Sequence, residues 1–226
     1  MRMPTTTDRT CLRLSRPSQL ALCLLLALVG AAGAETRVQQ GWLASDDALA
    51  AVDFELLAAD ELRVRSLSFA GGTTSLGQDI AAGGFAPVLT LFDRSSGDFV
   101  SWDHGSAHSD GNCIGPHDPA TAFCWDAGFR STLVAGRYRL LLSQDGNEPL
   151  GALADGYSQQ GQPEYTAAYL GLGSGAMFVA VGGAPRDGHW ALEFSADALA
   201  PVPEPATAWL LAAGVVWLAR RRSAGG

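Results

Sequence analysis

Between about residue 35 and residue 200, apolar and polar positions change places over short runs, and turn-forming Gly, Asp and Ser residues interrupt them every eight to twelve residues or so. This spacing predicts an all-β domain. Residues 36–43 form a first strand. Residues 51–57 form a second, in which Asp53-Phe54-Glu55-Leu56 alternates. A turn at Asp60-Glu61 leads into 62–69, which sets Leu62, Val64, Ser66 and Ser68 on one side and Arg63, Arg65, Leu67 and Phe69 on the other. Such strict alternation belongs to a half-buried strand rather than a helix. Residues 88–92 and 99–102 read as a pair of strands about the polar turn 93–98. Residues 129–134 and 137–143 read as a hairpin about Ala135-Gly136, and 166–170, 177–181 and 189–194 complete the set. The stretch 71–84 is a glycine-rich loop and 104–125 a long one. No long amphipathic helix and no internal repeat is present in the sequence.

The pattern breaks at both ends. Arg2, Arg9, Arg13 and Arg16 precede an apolar core at 20–29, and Ala32-Gly33-Ala34 follows as an A-x-A site, the layout of a secretory signal peptide spanning 1–34. Cleavage after Ala34 makes Glu35 the first mature residue. Near the other end, Pro203 and Pro205 hold the backbone extended. Residues 206–219 are apolar and uncharged, and Arg220, Arg221 and Arg222 follow. Fourteen helical residues span roughly 21 Å, short of a bilayer core of about 30 Å. The segment is a marginal membrane span that orients with its arginines inside.

Pro203-Glu204-Pro205, an apolar helix and a terminal arginine cluster, in that order, resemble the PEP-CTERM sorting signal of Gram-negative bacteria. The resemblance covers residues 201–226. It implies that an exosortase recognises the tail, removes it and passes the protein to the cell exterior. The body carries a second resemblance. Asp53-Phe54-Glu55-Leu56, the run from Phe85 to Asp93, Ala135-Gly136-Arg137-Tyr138-Arg139-Leu140 and Gln144-Asp145-Gly146-Asn147 are similar, in order, to the bacterial pre-peptidase C-terminal-type β-sandwich. This implies a jelly-roll-like β-sandwich over 35–200 with no catalytic residues of its own. The expected organisation is thus a signal peptide, one β-sandwich domain and a sorting tail, and the expected protein is a non-enzymatic one. The resemblance implies an inner-membrane intermediate held by the C-terminal helix, processing by signal peptidase and exosortase, and an expected association with extracellular polysaccharide at the cell surface or in a biofilm matrix.

Charge narrows the partners. Residues 35–202 hold 8 Arg and 21 Asp plus Glu, a net charge of −13, and the whole chain contains no lysine. Such a surface repels nucleic acid, and a mechanism built on a Schiff-base or P-loop lysine is excluded. Of the four cysteines, Cys11 and Cys23 leave with the signal peptide. Cys113 and Cys124 remain, and in an exported chain they most simply pair as a disulfide.

Candidate chemistry is sparse. Asp93, Asp98 and Asp103 lie near one another in sequence and are candidate calcium ligands, since calcium gathers several oxygens at close range. Calcium is the only cofactor the sequence suggests, and turn chemistry explains the same aspartates. His104, His108 and His117 flank Cys113, but without the helical spacing of a zinc motif. Gly171-Leu172-Gly173-Ser174-Gly175-Ala176 fits a dinucleotide fingerprint only if a helix follows, and the residues after it read as a strand. No G-x-S-x-G elbow is present. Trp102 and Trp125 bracket the long loop and offer faces for stacking on sugars. The alternative reading is therefore a calcium-assisted carbohydrate-binding module.

Overall fold

The computed structural model describes residues 35–107 and 123–202. The candidate signal residues Ala32 and Ala34, the sorting residues Pro203, Glu204, Pro205, Arg220, Arg221 and Arg222, and Cys113, His108 and His117 lie outside the described residues.

Two four-stranded antiparallel sheets form the body. The first runs in the order β1 (Glu35–Trp42), β12 (His189–Ala196), β3 (Asp60–Ser66), β10 (Gly128–Leu133). The second runs β2 (Ala50–Leu56), β11 (Gly136–Gln144), β6 (Pro87–Asp93), β7 (Phe99–Asp103). Two small ladders accompany them: β4 (Gly72–Thr73) with β5 (Asp79–Ile80), and β8 (Ser106–Ala107) with β9 (Phe123–Cys124). The pairing is nested. β6 pairs β7, β3 pairs β10, β2 pairs β11 and β1 pairs β12, so one long antiparallel ribbon is folded over into two layers.

The alternation read from the sequence is what fills the space between the layers. Leu62 and Val64 face inward with Phe129, Leu192 and Phe194 from the first sheet. Val52, Phe54, Leu89, Leu91, Leu140 and Leu142 meet them from the second. Phe54 joins the layers, its ring 5.5 Å from Phe194 and 5.6 Å from Tyr138. Two antiparallel sheets sharing one apolar core make a sandwich-like body, and its all-β content is what the alternation in the sequence leads one to expect. Residues after the first sheet's strands behave differently from the strands themselves: Leu67, outward by alternation, is buried with Ile80 and Ala191, because the β4–β5 ladder folds over that face.

Four local expectations are corrected. Residues 129–134 and 137–143 do not form a hairpin: β10 pairs β3 in one sheet and β11 pairs β2 and β6 in the other, so Val134-Ala135 is a corner between layers. Proximity along the chain favoured the hairpin, but the inward faces of both strands were needed by different sheets. Residues 166–169 are helical, not a strand, within α1 (Tyr165–Tyr169), and Leu170 is its C-cap. Residues 177–181 are irregular, with Phe178 at φ 55° and one isolated bridge from Val179 to Pro185. Asp60 and Glu61 open β3 rather than making a turn. The Asp60 carboxylate accepts the Glu61 and Ala198 amides at 2.7 and 2.8 Å.

Candidate functional site

The second and third of those corrections share one cause. Asp46, fully buried in the loop between β1 and β2, accepts from the Thr166 amide (2.9 Å) and hydroxyl (2.6 Å) with one carboxylate oxygen, and from the Phe178 amide (2.5 Å) with the other. The Thr166 hydroxyl in turn accepts from the Val179 amide at 3.1 Å. A single carboxylate therefore ties the start of α1 to the irregular 177–181 segment and holds Phe178 in the left-handed region, where a bulky side chain is strained.

This clamp builds one wall of a cavity of about 710 Å³. Phe85 and Phe178, stacked at 5.4 Å, lie at its apolar side. Trp125 contributes an aromatic wall that continues through Phe69 (centroids 5.4 Å) to the Arg186 guanidinium, which sits 3.5 Å over the Phe69 ring and donates to the Phe69 carbonyl at 3.1 Å. Cation and ring attract each other in that geometry. α1 presents Tyr165 and Tyr169, four residues apart and so neighbours along the helix. The Tyr165 hydroxyl donates to the Asp145 carbonyl (2.7 Å), and burial pushes its pKa up. Tyr169 is 82% exposed at the rim.

The polar groups come from the end of β11. Gln144 is 5% exposed, lines the cavity, and its Oε1 has no hydrogen-bond partner. An unpaired buried acceptor is costly, on the order of 1–3 kcal/mol. Next to it, burial pushes the Asp145 carboxyl up, against the opposing pull of His104. The remaining walls are largely apolar. A cavity of this size, apolar with a few convergent polar groups, has the form of a small-ligand site.

The sequence's own candidates fall elsewhere or only partly here. Trp125 lines this cavity, but Trp102 does not. Trp102 stacks on His104 (centroids 4.9 Å, 24°) and lines a shallow cleft of about 290 Å³ with Phe99 and Leu150. The two tryptophans are not one platform. Nor do the three aspartates converge. The Asp93 carboxylate caps its own turn, accepting from the Ser95 and Ser96 amides, with Asp98 across that turn. Asp103 ends β7, five residues beyond Asp98 and roughly 16 Å away at strand spacing, and accepts from the Gly128 amide at 2.7 Å. Among the described residues no group of three or more His, Cys, Asp or Glu is placed to hold a metal. Cys124 is fully buried on the β8–β9 ladder that closes the long loop. His189 has both ring nitrogens facing oxygens, Nδ1 the Asp187 carboxylate and Nε2 the Ala81 carbonyl. The Ser158 hydroxyl donates to the Gly146 carbonyl. Neither pair is arranged as nucleophile and base.

The sequence did not single out Gln144, Asp145, Tyr165, Tyr169 or Arg186 as site residues. Two signals were there: the Tyr-x3-Tyr spacing, which is helical, and Arg186 as a lone cation in a strongly acidic stretch. No protein-family model matches the chain, and no match is found among curated proteins.

Proposed function

We propose that this is an exported, exosortase-sorted protein of the cell surface or extracellular matrix, non-enzymatic and associated with exopolysaccharide. The observation that carries the reading is the ordered tail: Pro203-Glu204-Pro205, the apolar segment 206–219, then Arg220, Arg221 and Arg222, in a chain that also bears an A-x-A site at 32–34. The body suits such a life. β1 begins at Glu35, so removal of 1–34 leaves every described strand intact. Among the described residues the last backbone bond into the sandwich is from the Ala200 amide to the Glu55 carbonyl (2.8 Å), so removal of the tail leaves the described sheets intact. The nested pairing of eight strands in two sheets supports a jelly-roll body. Burial of Cys124 beside the long loop supports its pairing with Cys113.

Intact mass of the protein recovered from the outer fraction of its native host tests this. The expected species starts at Glu35, ends near Pro203-Glu204-Pro205 and is two hydrogens light for the disulfide. A full-length C-terminus retained in the membrane fraction overturns the sorting reading in favour of a simple tail anchor.

A second reading, a carbohydrate-binding module, is favoured by the aromatic cavity beside Trp125. The dispersal of Asp93, Asp98 and Asp103 gives its calcium-assisted form no support.

A further inference from the structure

We propose that the cavity walled by Trp125 and α1 is a saccharide site that takes a neutral sugar end, with Trp125 and Tyr169 as stacking faces and Gln144, Asp145 and Arg186 as its hydrogen-bonding groups. The inference rests on the matrix-association reading for its choice of ligand source, but its chemistry comes from the walls. A pyranose ring has apolar C–H faces and a polar rim. Trp125, whose ring also packs on Phe69 and Phe123, and the exposed Tyr169 line the cavity and give apolar surface to the first. The second requires planar side chains of mixed character, and the cavity holds an amide, a carboxylate and a guanidinium.

The unpaired Oε1 of Gln144 points to a ligand that donates. Gln144 lines the cavity, and turning its amide toward the space would bring to a ligand hydroxyl an acceptor that the fold leaves buried and alone; a second hydroxyl can donate to the Asp145 carboxylate. Other ligand classes fit less well. An acyl chain would cover the Asp145 carboxylate without giving it a partner, which is costly. An anionic ligand meets Asp145 and a body of net charge −13. A cation meets Arg186 within the same walls. A neutral polyol with apolar faces conflicts with none of these. The strained Phe178 and the Asp46 clamp keep the wall in place without a ligand, so the site is formed in advance.

The test is titration of the full chain with neutral mono-, di- and trisaccharides and with a fatty-acid probe, followed by tryptophan fluorescence and calorimetry. Saturable binding of at least one neutral saccharide is expected. Tyr169→Ala, an exposed change, should weaken it about tenfold. Gln144→Leu should weaken it while thermal stability stays equal to or above that of the parent, since it removes an unpaired acceptor. No saccharide binding by folded protein overturns the proposal, as does preferential uptake of the fatty acid. Binding that is unchanged in both variants overturns the site assignment. Correct processing in the mass experiment without saccharide binding defeats this inference alone. Saccharide binding by a protein that keeps its tail defeats the sorting reading alone.

Discussion

At the scale of single residues, a few buried polar groups do more than their share. Asp46 satisfies three donors from two segments that pattern reading takes for strands. Truncating it strands those donors in the interior, each at about 1–3 kcal/mol. Asp46→Ala should therefore cost about 3 kcal/mol or more, seen in urea as a lower midpoint at unchanged slope. A loss below about 1 kcal/mol would show that α1 is held by other contacts. Asp126 plays a similar part on the far side of Trp125. Its carboxylate accepts from the Ser66 hydroxyl and from the Ser68, Phe69 and Ala70 amides, although burial pushes its pKa up. Gly105 shows the opposite kind of constraint. At φ +84° its missing side chain lets the backbone lie against the Cys124 carbonyl, and a Cβ there has neither the conformation nor the room.

At the scale of elements, strand pairing is reinforced by ion pairs whose pH behaviour can be worked out. On β2 and β11, Asp53 and Arg139 lie opposite one another and form a bidentate pair at 2.8 and 2.9 Å, with Arg94 at 3.3 Å. The Arg139 hydrogen bond holds the Asp53 carboxyl below its ordinary value. A depressed carboxyl pKa means that the unfolded chain takes up the proton first. The contribution is then complete above the ordinary carboxylate range of about pH 4 and is lost as pH falls below it. For a partly exposed pair it is of order 1 kcal/mol or less. The melting temperature of the parent should exceed that of D53N at pH 7 and converge with it near pH 2. A gap that persists or widens in acid would mean that the pair stabilises through packing instead.

At the scale of the whole molecule, the order of pairing matters more than any one contact. β12 lies between β1 and β3, so a strand near residue 190 is the centre of a sheet whose edge begins at Glu35. Leu199 bridges to Leu56, and Arg37 donates to the Ala200 carbonyl, which fastens the end of the body to its start. A chain ending at Val202 should unfold with the same cooperativity as the full chain. One ending at Gly188 should fail to fold, because β1 then has no partner and β3 loses one. Circular dichroism melts decide this, and a cooperative transition in the shorter chain would show that the second sheet is stable alone. Pairing across such long stretches also predicts slow refolding, in the range of milliseconds to seconds typical of β-sandwiches.

What the sequence determined by itself was local. Alternation at Val52, Phe54, Leu56, Leu62 and Val64 located strands and their inward faces, because side chains in a strand point to opposite sides and one side must be dry. Polar turns such as 93–98 located the β6–β7 hairpin for the same local reason. What only the tertiary structure decided was partnership. Nothing in 129–143 says that its two strands enter different sheets, since either pairing buries the same residues. The helix at 165–169, whose Tyr-x3-Tyr spacing was in the sequence, and the irregular 177–181 were joined by one carboxylate arriving from residue 46. The cavity follows from that long-range clamp. Its walls come from stretches around residues 69, 85, 125, 144, 165 and 178, and no window of the sequence is long enough to bring them together.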